Sequence, residues 1–253
     1  MHISVVTPAH NEEDFLGKCV DSVAAAAANV AGEVEHIVVL NRCTDGTEAI
    51  ARAAGCKVVV EDARYISRIR NAGAAAAEGR IIVTVDADSW MSPNMLTEVC
   101  RMLETGRFVG GGVRMFPERW SAGLIATTAL IAPFILWNRI LSAGMFWCYR
   151  EDFDAVGGFD EQLISIEDID FAQRLKRRGR ESSRRYGTIR RAHLTTSCRK
   201  FDEFGDWYFV KDPRRLVRLL GRDKAMADAF YYDVRSAPGA ARSHGVGSID
   251  SDQ

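Results

Sequence analysis

Short apolar runs alternate with longer amphipathic stretches through the first half of the chain. Residues 81–85, Ile-Ile-Val-Thr-Val, are β-branched and almost wholly apolar. Such a run suits a strand covered on both faces, as in a parallel sheet. Similar runs predict strands at 3–7, 36–40 and 57–60. Between them, 13–28 places Phe15, Leu16, Cys19, Val20 and Val23 on one helical face, and 47–54 predicts a short helix closed by Gly55. A further helix is predicted at 67–77, ending at Gly79. Strands alternating with helices predict an α/β fold with a mostly parallel central sheet flanked by helices.

The pattern changes further on. Ser92-Pro93 reads as a helix start, with serine as cap, and Leu96, Val99, Cys100 and Leu103 supply the apolar stripe. A strand at 108–115 carries Gly110-Gly111-Gly112, which predicts backbone passing close to a ligand or another segment. Beyond Pro117 the alternation weakens. Residues 124–137 are apolar apart from two threonines, but they contain Pro133 and fall short of the roughly twenty residues a membrane span needs. They predict a buried or interfacial helix in a soluble or peripheral protein. From 236 the chain is polar, glycine-rich and aperiodic, so 236–253 predicts a disordered tail.

Length and charge narrow the classes. A chain of 253 residues fits one large α/β domain, and a formal net charge of −1 gives no electrostatic footprint for nucleic acid. The six cysteines are scattered without a Cys-x-x-Cys pair, which argues against a zinc site and for reduced thiols. The opening residues enter a strand at once, without signal-peptide layout, so the expected location is cytoplasmic.

Chemistry enters with Asp86-Ala87-Asp88, directly after the fourth predicted strand. Open α/β sheets bind ligands at the carboxyl ends of their strands. Two carboxylates there offer hard oxygen donors for Mg²⁺ or Mn²⁺ that also coordinates a diphosphate. The competing reading is that both residues cap the next helix or solvate a loop.

Taken in order, a series of short motifs resembles glycosyltransferase family 2 with the GT-A fold. They are Thr7-Pro8-Ala9-His10-Asn11-Glu12, Thr44-Asp45-Gly46-Thr47, Arg70-Asn71-Ala72-Gly73 and Asp86-Ala87-Asp88. Gly157-Gly158-Phe159-Asp160-Glu161 follows, then Glu167-Asp168 with Arg174-Leu175 and Gly179. The resemblance covers roughly residues 3–180, and its specificity lies in order and context rather than in any one motif. It implies a single domain over 1–235, with a nucleotide-sugar half at 1–117 and a smaller acceptor-side half at 118–235.

The resemblance also implies an activity: metal-dependent, inverting, non-processive transfer of a sugar from a nucleotide-diphospho-sugar to an acceptor hydroxyl or phosphate. Pro8, Ala9, Asn11 and Glu12 would line the nucleoside pocket, Asn41 would face the base, and Arg70 would reach the base or the phosphates. A divalent ion, held by Asp88 and through water by Asp86, would act as a Lewis acid on the leaving diphosphate. Asp168 is the expected general base, since the first turn of a helix favours a carboxylate. Ser165-Ile166-Glu167-Asp168 equally fits a capping box, in which Asp168 serves only the helix end. Glu167 would hold the acceptor sugar or a loop. His193 is a candidate third metal ligand, with an ordinary structural or exposed histidine as the alternative.

The chain departs from the family pattern at Asn41, where an aspartate is common, which leaves the base open among uridine, guanosine and thymidine. No Gln-x-x-Arg-Trp signature of processive synthases is present. Arginine is dense from Arg174 through Arg177, Arg178, Arg180, Arg184 and Arg185 to Arg190 and Arg191. That reads as a solvated face or as contact with an anionic membrane or lipid-linked acceptor. A nucleotidyltransferase would need a glycine-rich phosphate loop after strand one, and a dehalogenase-like phosphatase would place its aspartates at strand one. A non-catalytic nucleotide-sugar-binding module remains as the other alternative.

Overall fold

The structure, a computed structural model, describes residues 1–138, 144–163 and 166–215, with side chains for all of these except 134–138. The first elements follow the hydrophobic pattern: β1 (His2–Ala9), α1 (Leu16–Ala27), β2 (Glu33–Leu40), α2 (Thr47–Ala53), β3 (Lys57–Val60), α3 (Ile66–Ala76) and β4 (Ile81–Val85). β3, β2, β1 and β4 lie side by side and pair in parallel. The chain runs outward from β1 to β3 and returns on β1's other side with β4. The carboxyl ends of β1 and β4 therefore flank the switch point, where such sheets open a crevice.

The apolar run of β4 follows from its central place. All five residues are buried. Ile81, Val83 and Val85 pack with Cys19, Val23, Leu96 and Val99 of α1 and the fourth helix on one face. Ile82 packs with Ile69 and Phe171 on the other. A strand with apolar neighbours on both faces has no need of alternation.

The chain continues through β5 (Ser89–Met91), α4 (Met95–Glu104), β6 (Phe108–Pro117), α5 (Ala122–Asn138), β7 (Met145–Tyr149), α6 (Arg150–Ala155), α7 (Glu167–Glu181), β8 (Arg185–Thr196), α8 (Arg199–Phe204) and α9 (Tyr208–Lys211). Here the sheet turns mixed. β7 runs antiparallel to both β4 and β6, β6 parallel to β8, and β8 antiparallel to β5 at the edge. The sheet is mostly parallel, as expected, with the antiparallel pairings confined to β7 and β5. The helix expected to start at Ser92 begins at Met95 instead, because Ser92 Oγ is engaged by Asn94 Oδ1 and the His193 amide. No helix directly follows Asp88, as β5 takes that place.

Glycine in β6 serves neighbouring strands. A Cβ on Gly111 would collide with the Gly187 carbonyl oxygen and the Trp147 ring, so β6 fits between β7 and β8 only without a side chain there. The apolar stretch expected at 124–137 is α5, a 17-residue helix with Pro133 inside and no charged residue. No helix among the described residues is long and apolar enough to cross a membrane. The predicted tail at 236–253 lies outside the described residues.

Candidate active site

At the carboxyl end of β4, Asp86 and Asp88 each meet an arginine. Arg70 of α3 is 2% exposed. Its Nη2 donates to Asp86 Oδ1 at 2.9 Å, while Nη1 donates to Asp168 Oδ1 at 2.6 Å and Glu167 Oε1 at 3.1 Å. Three carboxylates from β4 and the first turn of α7 thus converge on one guanidinium. Both terminal nitrogens thus donate to carboxylates, with α3 burying the arginine beneath them.

The floor under Arg70 is aromatic. Its guanidinium lies 5.2 Å from the centre of the Phe159 ring. Phe159 stacks on Phe171 at 4.3 Å, and Phe146 and Phe153 meet that pair edge-on or tilted. Delocalised cations are favoured over such faces, more so where water is excluded. Asn71 fixes Phe159 in turn, accepting from its amide at 2.9 Å and donating to its carbonyl at 2.8 Å. The Arg70-Asn71 and Gly157–Glu161 motifs therefore interlock. Gly158 has φ +63°, and a Cβ there would strike Asn71 Oδ1. Only glycine makes that turn so close to the asparagine. Arg174 completes the latch from α7, donating to the Val156 and Gly158 carbonyls at 2.5 and 2.7 Å.

Glu167 is 8% exposed, and burial beside the charged Asp168 pushes its carboxyl up to about 7, against the pull of Arg70. Ile166, just before it, has φ +64°, a genuine outlier for a β-branched residue. Ser165, the other half of the expected capping box, lies outside the described residues. Asp168 itself turns to Arg70.

Asp88 has a different neighbourhood. Arg199 of α8 donates to Asp88 Oδ2 at 3.2 Å and grips the buried Glu12 carboxylate at 2.8 and 3.2 Å. Its guanidinium sits 4.7 Å from the Phe15 ring. The Ser197 amide donates to the Asp88 carbonyl at 2.9 Å, which brings the end of β8 to the aspartate pair. Nothing in the sequence pattern singled out Arg199; the pairing of β8 with β5 delivers it. His193 sits six residues before Arg199 at an exposed position, its ring 6.0 Å from that of Phe116. Among the described residues no three His, Cys, Asp or Glu side chains form a metal cage.

The turns after β1 and β2 meet beside this pair. Asn11 (φ +50°) accepts the Thr44 amide at 2.9 Å. The Glu12 amide donates to Thr47 Oγ1 at 2.7 Å, and Asp45 accepts from the Thr47 and Glu13 amides. Pro8 and Ala9 end β1 opposite Val39 and Leu40, and the Asn41 amide donates to the Ala9 carbonyl at 2.8 Å. Asn41 spends its side-chain amide on the Glu61 and Ala63 carbonyls at 2.6 and 2.7 Å. Its Oδ1 is buried with no hydrogen-bond partner among the described residues. His10 is 5% exposed, with Nδ1 2.6 Å from the Asn41 carbonyl oxygen.

An open α/β sheet with paired carboxylates at its switch point defines a GT-A architecture, and solved structures share it. S. aureus TarS superposes with a TM-score of 0.62 at 20% identity, over 91% of this chain and 69% of that one. Glucosyl-3-phosphoglycerate synthase from Mycobacterium tuberculosis, in complex with Mn²⁺, UDP and glucosyl-3-phosphoglycerate, gives 0.58 at 24% identity, over 86% and 78%. The model of glycosyl transferase family 2 matches residues 4–159, and that of the N-terminal domain of galactosyltransferase matches 133–196. The chain belongs to glycosyl transferase family 2. A glycosyltransferase of M. tuberculosis strain H37Rv is 32% identical over 104 residues, 41% of this chain and 44% of that protein. The glucosyl-3-phosphoglycerate synthase of Mycolicibacterium paratuberculosis is 41% identical over 95 residues, 34% of this chain and 28% of that protein. The chain matches less than half the length of these curated relatives.

Proposed function

We propose that the protein transfers a sugar from a uridine-diphosphate sugar to an acceptor hydroxyl, with inversion, one sugar per encounter. The observation that carries this reading is Arg70, which ties the Asp86 carboxylate at the donor end of β4 to Asp168 at the mouth of α7. Residues 1–117 would serve the donor and 118–235 the acceptor. Support for the donor class comes from the relatives: the M. tuberculosis synthase structure holds UDP, and TarS has been solved with UDP-GlcNAc.

Asn41 Oδ1 is a buried acceptor left open. A uracil N3–H would satisfy it, which removes the cost of an unpaired buried carbonyl. Pro8, Ala9 and the Asn11 turn would line the pocket for that base. Glu12, clamped by Arg199, sets the orientation of Asp88.

The aspartate pair fits a divalent ion. Asp86 Oδ2 has no hydrogen-bond partner among the described residues, and one or two carboxylates suffice for Mg²⁺ or Mn²⁺ when a diphosphate completes the shell. Bound there, the ion would neutralise charge on the departing diphosphate. Asp168 takes the proton of the acceptor hydroxyl as its oxygen bonds to the anomeric carbon from the opposite face. Glu167, titrating near neutrality, accepts or donates a hydrogen bond to a second acceptor hydroxyl.

Thermal shift with UDP, GDP and dTDP, each with and without Mn²⁺, tests the donor, since a ligand of the folded state raises the melting temperature. UDP with Mn²⁺ should give the largest rise, and Asp88→Asn should lose its Mn²⁺-dependent part. Proton NMR of the product from a UDP-sugar panel should show the inverted anomer. Retention of configuration, or equal shifts for all three nucleotides, would overturn the reading.

A further inference from the structure

Large exposed apolar side chains are concentrated in one stretch of the chain. Met115 and Phe116 end β6 at 39% and 40% exposure, Trp120 follows at 55%, and α5 adds Ile125 at 57% and Leu130 at 39%. The helix turns Leu124 and Thr127 inward, while Ala122, Ile125, Ala129, Leu130 and Pro133 are exposed, and the one exposed polar residue beside them, Thr128, spends its hydroxyl on the Leu124 carbonyl. The 17 residues of α5 include no charge, which is unusual for a helix with so many of its described positions in water.

Cations border this stretch. Arg114 precedes Met115 on β6 and pairs with His193 across the ladder, where β8 bulges outward through Arg190 and Arg191. All three arginines are exposed, and none forms an ion pair among the described residues. The rest of the arginine-dense stretch is only partly available. Arg184 grips the fully buried Asp152 at 2.6 and 2.7 Å, Arg178 meets it at 3.3 Å, and Arg174 holds Asp170. From 114 to 133 the one acidic residue is Glu118, and it pairs with Lys18 at 3.0 Å.

We propose that this face, apolar along α5 and cationic at the β6–β8 bulge, seats the protein on an anionic lipid membrane. Apolar side chains with exposed tryptophan enter the interface, and unpaired arginines meet the headgroup phosphates. A second copy of the chain is the poorer occupant, since a two-fold contact would set the same arginines against one another, and the nearby acids Glu118, Asp202 and Asp206 are already paired with Lys18 and Arg119. The face also adjoins the aspartate pair. Met115 Sδ and Asp86 Oδ2 lie 3.6 and 3.3 Å from where a Cβ on Gly144 would stand. Seated in this way, the site mouth opens at the lipid surface. The corollary that the acceptor is lipid-linked rests on the transfer reading above; the seating does not.

Co-sedimentation of the full chain with vesicles of phosphatidylcholine alone, or mixed with phosphatidylglycerol, tests this at low and high salt. Binding should require phosphatidylglycerol and weaken as salt rises. Arg190→Glu with Arg191→Glu, and separately Ile125→Glu with Leu130→Glu, should each lower binding at least about tenfold with the melting temperature unchanged. Absence of wild-type binding at low salt, or equal binding by both variants, overturns the proposal. So does a dimer in sedimentation equilibrium that the Ile125→Glu, Leu130→Glu variant dissociates while vesicles stay unbound. Nucleotide binding in solution reports on the transfer reading separately.

Discussion

Asp86 and Asp88 stand two residues apart, yet the arginines that hold them belong to different kinds of structure. Arg70 comes from α3, is 2% exposed, and rests on four interlocked phenylalanines within the core. Arg199 comes from α8, whose six residues include none that is buried, and its side chain is 13% exposed. The first is built into packing that opens only with the fold. The second hangs on a short surface helix, the kind of element that opens locally at little cost. One carboxylate of the pair is thus fixed before any ligand arrives, while the other can exchange its partner. On the proposed reading, the donor site would use both, a rigid reference for the sugar and an adjustable contact for the diphosphate.

Removing Arg70 tests that contrast most severely. Arg70→Met leaves Asp86, Glu167 and Asp168 facing one another without a cation and should cost about 3–5 kcal/mol of stability, read by urea denaturation. The loss should shrink as pH falls, because the carboxylates then take up protons. A variant of unchanged stability would show that the guanidinium is not the keystone. Asp168→Asn should leave nucleotide binding intact and lower turnover about 10²–10⁴-fold. Unchanged turnover would remove the base.

Arg199→Gln should weaken the structure less, about 1–3 kcal/mol, mainly from the buried Glu12 left underpaired. Hydrogen exchange should show faster opening confined to α8 and the end of β8. If Arg199→Gln destabilises as much as Arg70→Met, the two sites do not differ as described. The mildest effect is expected at Glu167. Its folded value near 7 stands above the ordinary 4.5, so its contribution is fully present below about 4.5 and is lost as pH rises through 7. Glu167→Gln should flatten the fall in unfolding free energy between about pH 5 and 8, by roughly 1–2 kcal/mol in urea denaturation, since the charge is shared with Asp168. An identical slope in both proteins would mean that Glu167 titrates elsewhere.

The same contrast explains what could be read in advance. The strands from β1 to β4 announce themselves because each is a local apolar run between turn residues, and each is followed by a helix of regular stripe. Arg70, Glu167 and Asp168 each stood out through a motif, but their pairing did not, since Glu167 and Asp168 lie 97 and 98 residues away on α7. Arg199 carried no motif. Its role depends on β8 pairing with β5, and β5 is three residues long, too short for periodicity to reveal. The helix start misread at Ser92 has the same origin, as the serine's hydroxyl is claimed by β8 rather than by its own helix.

Local order therefore fixed the parallel half of the sheet, the place of Asp86 and Asp88 at its open end, and the apolar character of α5. Those properties follow from side chains a few residues apart, where spacing alone decides which face is buried. Tertiary structure decided the rest: that Arg70 lies beneath three carboxylates, that Arg199 meets Asp88, and that the exposed positions of α5 stay in view of solvent. Each of these depends on contacts between segments far apart in the chain, and only the packed sheet brings such segments within hydrogen-bonding reach.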